Sequence, residues 1–279
     1  MPEQIPAIMN DVTLPSLNDF VIVDPFQVQA FQKNGHTLIK EILSADEAAI
    51  YRNVINEAAY KYNTEKRKLE ERDTYGKAFL QVMNLWEVDQ QVKRFTLAKR
   101  FAKIAATLLG VPNVRLYHDQ ALYKESGGGL TPWHQDQYYW PLNTTNTVTM
   151  WMPLMDINEE MGMLTFASQS HKGGFVENVA ISDESEALLE KHIKDKDFTI
   201  TRAKSMQAGD ATWHYGWTLH NASGNHSGVT REVMTIIYFA DGAIVTDPEN
   251  EHQEADRKRW LAGLAPGSKA ASALNPLLL

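Results

Sequence analysis

The stretch Pro132-Trp133-His134-Gln135-Asp136-Gln137 lies in a chain of 279 residues whose second half is built from short β-forming runs. On extended backbone alternate side chains share a face, so His134 and Asp136, two apart, can reach one cation together. Around this stretch, runs at 114–123, 147–155, 163–166, 198–200 and 232–239 are separated by turn residues and interrupted by one helical segment from 183 to about 194. Ahead of Pro112 the pattern is helical. Ser44 with Glu47 three positions on forms a capping box, and Ile50, Val54, Ile55 and Ala58 follow at helical spacing. A second helix is predicted from Asp89, with Val92, Phe95, Ala98, Phe101, Ala105 and Leu108 on one side, stopped by Gly110 and Pro112. Residues 31–43 read as a short helix and a strand. Helices first and many strands after, with no βαβ rhythm and no repeat, predict a mainly β fold with flanking helices on an antiparallel barrel or sandwich. The chain reads as one domain: an N-terminal arm at 1–25, a mostly helical buttress at 26–112, a barrel core at 113–245 and a C-terminal segment at 246–279.

Composition narrows the function. The net charge of −8, from 27 basic against 35 acidic residues, comes with no dense basic cluster and points away from nucleic acid. The chain has no cysteine, so disulfides, thiolate metal sites and cysteine nucleophiles are excluded, and any metal must be held by His, Asp or Glu. The start MPEQIPAIMND has neither a basic nor an apolar signal region, and no apolar run approaches the roughly 18 to 20 residues that span a bilayer. A cytoplasmic protein with no membrane partner, monomeric or homodimeric, is the expectation.

A third metal ligand must come from elsewhere in the chain. His220 is the candidate, with His214, six residues earlier and on the same face of a strand, as its rival. Two histidines and one carboxylate leave coordination positions open, the facial triad of non-haem iron oxygenases. Arg231 follows His220 by eleven residues and opens a strand whose alternate positions Val233, Thr235, Ile237 and Phe239 are apolar or small. A hairpin joining the two strands would bring its guanidinium, a planar fork suited to a carboxylate, near the metal. His226 lies in a predicted exposed turn. His36, His118, His171, His192 and His252 read as packing, hydrogen-bonding or solvent-contact residues. Gly127-Gly128-Gly129 lacks the lysine and helix start of a phosphate cradle and reads as a mobile loop into the metal strand. Tyr138, Tyr139, Trp140, Trp213, Tyr215 and Trp217 are candidates for a small-molecule pocket that is at least partly apolar.

Taken together, 119–124 (DQALYK), the Gly-rich loop, Thr131-Pro132-Trp133-His134-Gln135-Asp136, Trp151-Met152-Pro153-Leu154-Met155-Asp156, Gly162-Met163-Leu164 with Ser168-Gln169-Ser170-His171-Lys172, and Gly209-Asp210 through His220 to Arg231 resemble the phytanoyl-CoA dioxygenase family. The resemblance implies a double-stranded β-helix (a jelly-roll, cupin-like barrel). It implies iron(II) on His134, Asp136 and His220, 2-oxoglutarate as cosubstrate with its far carboxylate on Arg231, and O2 as oxidant. It places Trp151, Gln120 and Lys77 near the cosubstrate. The implied activity is oxidation of a small molecule, by default hydroxylation, with release of succinate and CO2. Two other readings use the same residues: a cupin-like zinc or manganese hydrolase or isomerase, and a barrel that binds without turnover. A dicarboxylate anchor at Arg231 serves neither. No CoA-binding surface is legible.

Overall fold

The computed structural model describes residues 13–279. Its strands are β1 (His36–Ile39), β2 (Leu80–Met83), β3 (Val114–Lys124), β4 (Thr131–His134), β5 (Thr147–Pro153), β6 (Ile157–Asn158), β7 (Leu164–Ala167), β8 (Ile200–Arg202), β9 (Ser205–Met206), β10 (Ala211–Tyr215), β11 (His220–Ala222) and β12 (Arg231–Ala240). The helices are α1 (Pro25–Asn34), α2 (Ala45–Tyr62), α3 (Thr74–Ala78), α4 (Leu85–Val88), α5 (Gln90–Thr96), α6 (Lys99–Leu109), α7 (Asp183–Asp195) and α8 (Glu251–Trp260). Six strands form a major sheet in the order β1-β10-β5-β12-β3-β2, and four form a minor sheet in the order β4-β11-β7-β8. Every pairing is antiparallel. This is the double-stranded β-helix. Its major sheet also takes an edge strand at each side, β1 and β2, from the segment read as helical buttress.

Both faces of the major sheet are covered, and period-two alternation sorts its side chains. On β12, Met234, Ile236 and Tyr238 join the core shared with α2, α5 and α6, while Val233, Ile237 and Phe239 turn inward. Arg231 and Thr235 fall on the inward set, which is what makes an arginine on this strand a cavity residue rather than a surface one. The helical layer is held by its own chemistry. Ser44 and Glu47 close the expected capping box on α2, and the buried Arg100 pairs with Glu47 and with the exposed arm residue Asp19. The single helix expected from Asp89 is instead two, α5 and α6, with Ala98 extended between them. Tertiary partners compensate the break: the Arg100 N–H, with no intrahelical acceptor at α6's start, donates to the Leu17 carbonyl at 2.9 Å.

Among the described residues, no helix is long and apolar enough to cross a membrane.

Candidate metal centre and cosubstrate pocket

His134 closes β4 and His220 opens β11, and the two are register partners on adjacent strands, with ring centroids 4.1 Å apart. The strand expected to carry Asp136 ends at His134, and Asp136 opens a 3-10 turn. Gln135 nevertheless keeps extended angles (φ −122°, ψ 122°), so the alternation that aligns the two side chains survives. Asp136 Oδ1 lies 3.5 Å from His134 Nε2 and 3.6 Å from His220 Nε2. One donor atom from each of the three lies within 4.8 Å of the others, and no other such group occurs among the described residues.

The rest of each ligand is tied down. His134 Nδ1 is 2.8 Å from the Pro132 carbonyl, and His220 Nδ1 is 2.9 Å from the Thr218 carbonyl. A carbonyl only accepts, so Nδ1 carries the proton in both rings and Nε2 keeps its lone pair for a metal. Asp136 Oδ2 accepts the Thr149 hydroxyl at 2.8 Å and lies 3.2 Å from His214 Nε2. That leaves Oδ1 as the inward donor. His214, the rival third ligand, therefore sits behind the carboxylate and orients it. Burial opposes charge on Asp136, but the surrounding imidazoles, His220 foremost, hold its carboxyl well below the usual carboxylate range. Burial, with His134 and His214 adjacent, holds His220 well below the usual histidine value. Two imidazoles presenting Nε2 and a carboxylate are a donor set that suits a hard-to-borderline divalent ion such as iron(II).

These residues line one wall of a cavity of about 510 Å³ between the two sheets. Arg231 lines it too, at 2% exposure. Its Nη1 donates to the Gly162 carbonyl, its Cζ lies 5.1 Å from the Trp151 ring centroid, and its Nε has no partner. Gly162 is required there: it has φ +78°, and a Cβ would meet the Ser223 carbonyl at 2.6 Å and Lys124 at 2.8 Å. Directly across the ladder from Arg231 is Lys124, whose ammonium donates to the Gly129 carbonyl at 2.5 Å and to Thr131 Oγ1 at 3.2 Å. No carboxylate pairs with either cation among the described residues. Burial pushes Arg231 down to about 9, still charged at neutral pH, and burial with the neighbouring Arg231 pushes Lys124 down to about 6. A desolvated guanidinium lining the cavity without a counter-ion makes a pocket for an anion.

The structure gathers most of the residues expected from the sequence, by routes that differ in part. Trp151 lines the cavity from β5, and Gln120 lines it from β3, where its Oε1 accepts from the Gln81 amide at 3.0 Å. Lys77 does not reach it. The residue is exposed on α3, and its backbone carbonyl accepts from Gly129 N at 2.8 Å. The expected hairpin between His220 and Arg231 is absent: β11 belongs to the minor sheet and β12 to the major one, so the two residues meet across the barrel. The Gly-rich loop, expected to be mobile, is tied by backbone bonds from Gly127 to Asn225, Gly129 to Lys77 and Asn225 to Gly128. Of the aromatic cluster, Tyr139 and Trp140 line the cavity, while Trp213 is buried in the helix-side core and Tyr215 stacks on Phe31. Thr149, which the sequence left unassigned, and His118, expected only to pack, hydrogen-bond or meet solvent, both line the cavity, with Lys124 buried beside Arg231. The available signal was the alternation His118, Gln120, Leu122, Lys124 along β3, which puts all four on the inward face.

Residues 31–233 match the phytanoyl-CoA dioxygenase (PhyH) family. The chain belongs to this family. A curated relative, the probable alpha-ketoglutarate-dependent hypophosphite dioxygenase of Stutzerimonas stutzeri, is 28% identical over 134 residues, covering 47% of each chain. The chain thus spans about half the length of that relative in alignment. Two solved structures share the fold. The non-heme alpha ketoglutarate dependent carbocyclase SnoK from nogalamycin biosynthesis aligns over 91% of this chain and 96% of its own, with a TM-score of 0.74 and 22% identity. The epimerase SnoN in complex with Fe3+, alpha ketoglutarate and nogalamycin RO aligns over 91% and 98%, with a TM-score of 0.74 and 22% identity.

Proposed function

We propose that this chain is an iron(II)- and 2-oxoglutarate-dependent oxygenase acting on a small molecule, with His134, Asp136 and His220 as metal ligands. The observation that carries this is one cavity lined both by three convergent ligands and by a buried arginine with no carboxylate partner. A hydrolytic or isomerising zinc or manganese centre would use the ligands but has no need of the buried Arg231 charge. Iron(II) with 2-oxoglutarate and O2 supplies oxidising power, consuming the keto acid to succinate and CO2.

The chain's own residues hold and orient. The Pro132 and Thr218 carbonyls fix both imidazole tautomers, and Thr149 with His214 turns Asp136 Oδ1 inward. Arg231 would grip the far carboxylate of the keto diacid, with Trp151 beside it. Leu122, Leu164 and Ala222 line the same cavity, and such an apolar lining keeps water from the oxidant.

Purified protein supplied with iron(II), ascorbate and 2-oxoglutarate is expected to release succinate, and His134→Ala or Asp136→Ala to abolish this while keeping the wild-type circular dichroism spectrum. Zinc- or manganese-dependent turnover without any succinate would refute the oxygenase reading.

A further inference from the structure

The cavity wall away from the ligands is completed by α8, which lies outside the family-matched stretch 31–233. His252, Ala255, Asp256, Arg259 and Trp260 line it, a single helical face at the spacing i, i+3, i+4, i+7, i+8. The outer face of α8 pairs its charges: Glu254 bridges both Arg257 and Lys258. The inner face does not. Asp256 and Arg259 make no ion pair with each other or with any other group among the described residues. The hydrogen bond to Asp256 Oδ2 comes from a neutral phenol, Tyr117 Oη at 3.0 Å. The Arg259 guanidinium lies 4.3 Å over the Trp260 ring. Burial pushes the Asp256 carboxyl up to about 7, only partly offset by Tyr117, by the Arg259 charge and by the Trp260 side chain. Asp256 is half-buried and Arg259 exposed, so the anion lies deeper and the cation nearer the mouth.

We propose that Asp256 and Arg259 form a zwitterion reader, the first taking a protonated amine and the second a carboxylate, so that the substrate is an amino-acid-like small molecule. An opposite-charge pair that lines a cavity and remains unpaired is complementary to a ligand carrying both charges. Tyr139 and Trp140, on the same cavity, accommodate its apolar body. The proposal rests on the oxygenase reading for what happens to the ligand, and on α8 alone for what is bound.

The test is calorimetric titration of the full chain, loaded anaerobically with iron(II) and 2-oxoglutarate, with three probes of one skeleton: L-phenylalanine, phenethylamine and 3-phenylpropionate. The zwitterion is expected to bind at least about tenfold more tightly than either singly charged analogue, the scale of one charge-assisted contact. Asp256→Asn is expected to erase its advantage over 3-phenylpropionate, and Arg259→Gln its advantage over phenethylamine. Equal affinities, preference for one singly charged probe, or no binding at millimolar concentration would each overturn the proposal, and the wild-type series decides even if a variant folds poorly. Repeating the series without iron and 2-oxoglutarate separates the two readings. Zwitterion preference without succinate formation sinks only the oxygenase, and succinate formation with indifferent probes sinks only the reader.

Discussion

Replacing Arg231 by Gln removes the charge and the guanidinium fork while keeping a shorter polar side chain. In the ligand-free protein that charge is buried at 2% exposure without a carboxylate, and its Nε is unpartnered. Its removal therefore relieves a desolvated cation while sacrificing part of one hydrogen bond to the Gly162 carbonyl. These effects oppose, so the melting temperature of the ligand-free variant is expected to stay within a few degrees of wild type. Binding of 2-oxoglutarate is a different matter. A bidentate contact to a carboxylate is lost, and hydrogen bonds to charged groups are each worth about 1.5–3 kcal/mol. The Gln amide keeps a neutral donor and compensates part of this, leaving a net loss of about 2–4 kcal/mol, or roughly 30- to 1000-fold in Kd. The assay is anaerobic calorimetric titration of 2-oxoglutarate into the iron(II) protein, beside thermal melts of the ligand-free form. Unchanged affinity would refute the anchor. A melting temperature that collapses in step with affinity would show Arg231 to be a structural residue.

His214→Ala is expected to keep full iron stoichiometry but weaken iron affinity about 10- to 100-fold, because it removes an orienting partner of Asp136 and not a ligand; complete loss of iron would make His214 the ligand instead. Lys124 gives a pH signature. Its folded value of about 6 lies below the ordinary 10.5, so between those limits the unfolded chain binds more protons and stability rises with pH. Lys124→Met is expected to flatten that slope in urea denaturation at pH 6.5 and pH 9, and an identical slope in the variant would contradict it. Glu232 accepts from Arg52 at 2.6 and 3.0 Å and from Asn56 at 2.8 Å. Because Arg52 is partly exposed and can resolvate, Glu232→Ala is expected to cost about 2 kcal/mol of stability, read by chemical denaturation, with iron binding unaffected.

The amino-acid sequence alone determined whatever rests on local periodicity. Ser44 and Glu47 announce α2 because a capping box is satisfied within four residues. The alternation on β12 marks Arg231 as inward because strand period is a property of the backbone, and His134 and Asp136 share a face for the same reason. Contacts between distant elements were decided only by the tertiary structure. His214 and His220 are equivalent in sequence, and the choice between them is made by the pairing of β11 with β4, set against β10 in the opposite sheet. The Arg231–Lys124 pairing depends on the register of two strands more than a hundred residues apart, which no local pattern encodes. Asp256 and Arg259 become cavity residues only when α8 folds back over the barrel. Its own composition is charged nearly all round, so hydrophobic periodicity could not say which face turns inward.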